Sequence, residues 1–235
     1  MTTKTDLPPL GYWEATALQS RFVQYTSQIE QAAILAAHER ARIPTMALDI
    51  GCEGGRWSLL LAERGWQLIC TDTNARALAL CQQRIPMATC VLVHDDERTL
   101  PAADQSLGLV LCIEVVPVMP STWFRQEVMR VLQPGGLVVG VFWNQWSWRG
   151  LLHHTAARLQ HKQDDWYSEA YHRWRKCMRK HGFLFVQEEG CYWSPFRHRT
   201  SNSPLVPLAC RIERVLGLHK LVSLSPLIIF VAQKQ

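Results

Sequence analysis

The residues best suited to chemistry fall in three short stretches of the first hundred positions. Leu48-Asp49-Ile50-Gly51-Cys52-Glu53-Gly54-Gly55 closes an apolar run and leads into a helical pattern at Arg56. Glycines at such a turn let the backbone bend sharply and approach a ligand without a Cβ in the way. The N–H groups that open the following helix suit a carboxylate. Asp72 ends a second apolar run, Ile69-Cys70-Thr71, about 20 residues after the loop, where an acid can accept from both hydroxyls of a ribose. Its competing role is to cap the next helix, which Thr73 or Asn74 can do instead. Asp95-Asp96-Glu97 follow a third run, before Leu100-Pro101. A carboxylate there can accept from an adenine amino group while a neighbouring backbone N–H donates to the ring.

These groups need elements to hold them. Apolar spacing at 22, 25, 29, 33 and 36 predicts a helix over Phe22–Arg42, ended by Pro44. Buried strands are expected at Thr45–Ile50, Gln67–Thr71, Thr89–His94, Leu107–Ile113 and, after the turn Pro134-Gly135-Gly136, Leu137–Trp143. Helices are expected at Arg56–Arg64, Ala75–Arg84 and Thr122–Leu132. A Trp-rich linker then leads to a helix over Ser168–His181, with Tyr167, Tyr171, Trp174 and Met178 on its apolar side. Strands at Phe183–Gln187 and Leu227–Ala232 flank a helical excursion from Val206 to Val222. Strands alternating with helices predict an α/β fold with a mostly parallel sheet, helices on both faces, and ligands at the carboxyl ends of the strands. Residues 1–44 are expected as an N-terminal helical cap on a domain of 45–235, with substrate-side insertions at about 144–181 and 190–225.

Taken in order, Leu48–Gly55, Asp72, Asp96–Pro101 and Val131–Gly136 resemble the class I S-adenosylmethionine-dependent methyltransferases, in particular the small-molecule enzymes. The resemblance covers roughly residues 45–143. It implies a Rossmann-like seven-stranded sheet with a reversed last strand and S-adenosylmethionine as cofactor. It also implies that Asp49 supports the loop and the methionine amino group, and that Gly51 and Gly55 allow close backbone approach. Asp72 would hold the ribose diol. Asp96 would take the adenine amino group, with the Glu97 N–H facing the ring, and Cys112 or Ile113 would lie near the methionine portion. The chain departs from the family at three places. Glu53 stands where the family usually has glycine, so its side chain could approach the amino or sulfonium group or turn to solvent. Gly108 replaces a frequent Asp, and a His common after the fourth strand is absent.

The sulfonium methyl is already activated, so the protein's main tasks are alignment and exclusion of water. An acceptor hydroxyl or amine can use a base, for which His94, His153, His154 and Glu114 are candidates. A carboxylate acceptor needs none. Trp143, Trp146 and Trp148 could floor the acceptor pocket or simply pack.

Charge is unevenly divided. Residues 1–150 hold 12 Lys/Arg against 14 Asp/Glu, a net of −2, and residues 151–235 hold 13 against 6, a net of +7. His172, Arg173, Arg175, Lys176, Arg179 and Lys180 crowd one helix, and Arg197, His198 and Arg199 add to the field. That field suggests an anionic small-molecule acceptor. The alternatives are an RNA-directed methyltransferase and a non-catalytic methyltransferase-like protein. Base-methylating motifs of the Asn-Pro-Pro-Tyr type are missing, which weighs against nucleic acid. A nicotinamide-dependent oxidoreductase would want a different glycine spacing.

No apolar run reaches the roughly 20 residues of a membrane span, and Met1–Pro9 shows no export signal, so a cytoplasmic protein is expected. The 8 cysteines occur singly and form no Cys-x-x-Cys pair. They are expected as buried free thiols, without a metal centre. Oligomeric state is not encoded in any pattern of this sequence.

Overall fold

Seven runs rich in apolar residues become strands of one sheet, with central strands such as β4 buried on both faces and β3 at an exposed edge. The computed structural model describes residues 11–159, 166–196 and 202–235. Helices α1 (Tyr12–Gln19) and α2 (Arg21–Ala41) come first. Then follow β1 (Met46–Ile50), α3 (Arg56–Ala62), β2 (Gln67–Asp72), α4 (Ala75–Arg84), β3 (Thr89–Leu92) and β4 (Leu107–Cys112). The chain continues through α5 (Thr122–Val131), β5 (Leu132–Trp143), α6 (Trp148–Leu159), α7 (Tyr171–Lys180), β6 (Phe183–Cys191), α8 (Val206–Val215) and β7 (Leu227–Lys234). The sheet order is β3-β2-β1-β4-β5-β7-β6. Strands β1 to β5 pair in parallel, and β7 runs antiparallel between β5 and β6. The order reverses between β1 and β4, which opens a crevice at their carboxyl ends.

Alternation along the strands sorts the core into two layers. In β7, Leu227, Ile229 and Val231 join the layer of α2, α3 and α4, while Ile228, Phe230 and Ala232 join that of α5 and α7. The period of two dictates this, since successive side chains leave opposite faces. Tyr171, Trp174 and Met178 are buried in the second layer, on the side of α7 that the spacing predicts.

Helix α2 buries Phe22, Ile29, Ala33, Ile34 and Ala37 in the first core layer, and Trp13 of α1 reaches the crevice. The Trp-rich linker, in turn, contains α6, whose Leu151, Leu152 and Leu159 are exposed. With no buried apolar stripe, this helix carries no core-facing period for the sequence to reveal. Among the described residues, no helix is long and apolar enough to cross a membrane.

Where β5 ends, Asn144 is fully buried and uses its whole side-chain amide. It donates to the Ser223 and Ser225 carbonyls at 2.9 and 3.1 Å, and accepts from the N–H groups of Trp146 and Tyr171 at 3.2 and 3.0 Å. This clamp fixes the strand exit beside the crevice and the start of α7 at once.

Candidate active site

The β1–α3 loop is built from left-handed residues. Gly51, Glu53 and Gly55 have φ of 66°, 50° and 76°. A Cβ at Gly51 would come within 2.6 Å of Val115, and one at Gly55 within 2.7 Å of the Cys81 sulfur. Both positions therefore require glycine for conformation and for space. Glu53 takes the same conformation with a side chain, which an L-residue adopts at a cost of about 1–2 kcal/mol.

What offsets that cost is visible in its partners. The Glu53 N–H donates to Asp72 Oδ2 at 2.8 Å, and its carboxylate accepts from the Tyr12 N–H at the start of α1. A second carboxylate serves the same helix end: Glu14 accepts from the Gly11 N–H at 2.9 Å. Glu14 also accepts a two-pronged bond from Arg84, each prong 2.7 Å, while Arg84 donates to the Gly54 carbonyl at 2.8 Å. Burial works against the Glu14 charge, but Arg84 and the Gly11 N–H hold its pKa below the ordinary value. Helix α1 is thus latched onto the loop through its own unsatisfied N–H groups. Glu53 lines the cleft with its carboxylate tied to the end of α1 rather than turned to open solvent.

Asp72 is free of the capping duty. Asn74 caps α4, accepting from the N–H groups of Arg76 and Ala77. The second Asp72 oxygen, Oδ1, accepts from the Asn74 N–H at 2.8 Å. Two backbone donors therefore orient its carboxylate at the end of β2.

A cleft of about 1020 Å³ opens there, lined by Gly51, Glu53, Asp72, Ile113, Glu114 and Val115 among others. Its far wall is the turn after β3, and that wall presents Asp95 and Glu97, with Asp96 outside the lining. Ile113 faces the cleft, whereas Cys112 points into the α5–α7 core layer. The alternation of β4 allows only one of the two to face the site.

The four candidate bases separate cleanly. His94 lines the cleft but is exposed. His153 and His154 sit on α6 outside the lining; His153 packs on the Tyr167 ring, 5.4 Å between centroids, and a ring nitrogen of His154 lies 2.9 Å from the Tyr167 carbonyl oxygen. Glu114 lies at the mouth of the cleft with φ of 60°, and its Oε2 accepts from the Trp143 indole N–H at 3.2 Å. Trp143 belongs to an aromatic cluster with Trp166 at 4.8 Å, of which Trp166 reaches the cleft. Trp146 is 53% exposed and Trp148 lies outside the lining, so neither floors the pocket.

A smaller recess continues under α1 and α2, lined by Trp13, Thr26, Glu30, Asp49, Arg56 and Glu114 among others. Asp49 is 3% exposed and accepts from the Ser58 hydroxyl at 2.5 Å. Burial, followed by the charge of the nearby Cys70 sulfur, pushes its pKa up to about 8 against the opposing Ser58 bond. Arg56 and Glu30 pair at 3.2 Å in the same recess; burial raises Glu30 to about 7 and lowers Arg56, each opposed by the other's charge. Trp13, Glu30, Arg56 and Trp166 were not singled out in the sequence, because nothing local marks them.

Among the described residues, the basic excess of the second half does not line this cleft. Arg175 is bound to Glu188, and His172, Arg173, Lys176, Arg179 and Lys180 lie outside the lining. Arg197, His198 and Arg199 fall outside the described residues. The lining carries Glu53, Asp72, Asp95, Glu97 and Glu114 against Arg98 and His94.

A glycine loop, a strand-end acid and a deep cleft at the switch point of a 3-2-1-4-5-7-6 sheet define a Rossmann-like methyltransferase fold. Residues 48–140 match the methyltransferase domain family, and over that stretch the chain is similar to S-adenosylmethionine-dependent methyltransferases. It is 34% identical over 110 residues to malonyl-(acyl-carrier protein) O-methyltransferase of Xylella fastidiosa, covering 42% of this chain and 35% of that one. It is 31% identical over 104 residues to 2-methyl-6-phytyl-1,4-hydroquinone methyltransferase of Synechocystis, covering 43% and 33%. The chain thus spans about a third of the length of these curated relatives. A methyltransferase structure from Archaeoglobus fulgidus superposes over 95% of this chain and 100% of its own, with a TM-score of 0.59 at 15% identity. Geranyl diphosphate C-methyltransferase of Streptomyces coelicolor superposes over 93% and 86%, with a TM-score of 0.60 at 12% identity.

Proposed function

We propose that the chain transfers the methyl group of S-adenosylmethionine to a small-molecule acceptor lodged between Glu114 and Trp166. The observation that carries this reading is the alignment of Gly51, Asp72 and Glu114 along one cleft. Its volume leaves room for a cofactor and an acceptor together. The residues present fit the cofactor: a backbone surface with no Cβ at Gly51, an acid already oriented by two N–H donors, and a buried acid beneath.

When bound, the cofactor supplies a methyl group on a positively charged sulfur. Asp72 would hold the ribose hydroxyls, and Asp95 or Asp96 would accept from the adenine amino group. The Glu97 N–H is committed to the His94 carbonyl at 3.0 Å, so the ring contact falls to another group of that wall. Asp49 would meet the methionine ammonium, directly or through water. Ile113 and the loop backbone of Gly51 would hold the methionine chain, and α1 would exclude water from above. Glu114, fixed by Trp143, would take on its carboxylate the proton that an acceptor O–H or N–H loses on methylation. An acid-lined cleft favours a neutral or cationic acceptor over an anionic one.

Calorimetric titration of the whole chain with S-adenosylhomocysteine tests the reading. Binding in the micromolar range is expected, and a folded chain that binds nothing at millimolar ligand would overturn it. Glu53→Gly checks the departure from the family pattern. It relieves about 1 kcal/mol of left-handed strain but removes a charge-assisted bond to α1 worth about 1.5–3 kcal/mol. Affinity for S-adenosylhomocysteine should stay within about threefold, while limited proteolysis near α1 accelerates about tenfold or more. A tenfold loss of affinity would instead put the Glu53 side chain against the cofactor.

A further inference from the structure

Behind the cofactor loop, cysteines scattered through the sequence meet. The sulfurs of Cys52, Cys70 and Cys81 all lie within 4.8 Å of one another, and all three residues are buried. They come from the loop after β1, from β2 and from α4. Cys90 of β3 is the in-register neighbour of Cys70, so both side chains leave the same face of the sheet. Close approach of Cys81 depends on Gly55, where a Cβ would stand 2.7 Å from its sulfur. None of these cysteines is in a disulfide.

We propose that Cys52, Cys70 and Cys81, with Cys90 completing the set, form a binding site for one Zn²⁺ ion that ties the cofactor loop to β2 and α4. Buried thiols dispersed among aliphatic side chains need only pack as small hydrophobes. Here three of them face each other instead. A tetrahedral zinc thiolate has metal–sulfur bonds of about 2.3 Å, which sets its sulfurs roughly 3.8 Å apart. The sulfurs of Cys52, Cys70 and Cys81 need a contraction of no more than about 1 Å to reach that spacing. Soft thiolates select zinc or cuprous ions over hard cations. Among these the divalent ion leaves the smaller residual negative charge on a buried thiolate set, and burying charge is costly. The site lacks the paired spacing of familiar zinc motifs because its ligands come from the β1–α3 loop, β2, α4 and β3. The ion would hold Cys52 beside Glu53 and so preset the loop whose N–H meets Asp72.

The whole chain, reduced and stripped with a chelator, is titrated with Zn²⁺ and separately with Co²⁺. One equivalent should bind, and the cobalt form should show the intense sulfur-to-metal absorption of a tetrahedral thiolate site. Cys81→Ser should weaken zinc binding about 100-fold or more, since even outer partners of a metal site are worth 10–100-fold. Cys177→Ser, far from the cluster in sequence and element, should leave it unchanged. X-ray absorption on the zinc-loaded wild type needs no variant to fold and should read three or four sulfurs at about 2.3 Å. Absence of stoichiometric binding to the folded, reduced chain would overturn the proposal. So would a shell of nitrogen and oxygen ligands. Because neither readout uses methyl transfer, a failure here leaves the proposed activity standing.

Discussion

Asp72→Ala should weaken S-adenosylhomocysteine binding by about 100- to 1000-fold without unfolding the chain. Two ribose hydroxyls donating to one carboxylate contribute about 1.5–3 kcal/mol each, and their loss of roughly 3–4 kcal/mol corresponds to that range. A second effect adds to the first. The same carboxylate holds the Glu53 and Asn74 N–H groups at 2.8 Å each, so its removal also frees the loop that must approach the ligand. Half-exposed at the end of β2, Asp72 supports little of the core, and the urea midpoint should move by only a small fraction of the total stability. Asp72→Asn keeps one acceptor but sets an amide against a donor, and should fall between the two. Calorimetry on both variants, with near-ultraviolet circular dichroism as the folding control, reads this directly. An affinity within threefold of wild type for Asp72→Ala would remove Asp72 from the site.

The second large effect is a pH dependence. Burial leaves Asp49 protonated in the free chain up to about pH 8. An ammonium group placed beside it favours the carboxylate, so binding must expel that proton below this pH. Affinity should therefore rise about tenfold per pH unit between roughly pH 6 and 8, then level off. The sign follows from where the proton sits: the free chain holds it, the complex does not, and raising the pH removes the competitor. The same group acts oppositely on folding. Its native pKa lies above the unfolded value, so its contribution to stability is present in acid and is lost as the pH rises through about 8. Without ligand, this residue makes the chain more stable at pH 6 than at pH 8. Asp49→Asn should flatten the affinity slope and lower the affinity at pH 8. A wild-type affinity that is level from pH 6 to 8 would mean that the ammonium does not meet Asp49.

Much of the frame needs only local information. The seven strands and most of the helices between them, though not α6, are legible because periods of 2 and 3.6 are written in neighbouring residues. The glycine requirements at Gly51 and Gly55, and the position of Asp72 at a strand end, are equally local. So is the reversed last strand, once the residues of the loop and the Pro134-Gly135-Gly136 turn suggest the family. Each of these is decided within one element and its turns.

Other features were settled only when distant elements met. Asp95 rather than Asp96 faces the cleft because a turn's exit direction, not its composition, aims a carboxylate. Trp143 reaches the site cluster while Trp146 stays exposed, since only the strand end is pinned by Asn144. Helix α1 becomes a lid through Glu53, 41 residues from Tyr12, and through Arg84, 70 residues from Glu14. The four cysteines carry no motif in their spacing, yet parallel pairing of β2 with β3 and the packing of α4 bring them to one face. Glu53 shows the division most plainly. Its departure from glycine was evident from the residue itself, but its direction depended on the helix end it holds. Conformational preference acts over a few residues and can be read from them. Which side chain meets which across the fold depends on chain crossings that no short pattern contains.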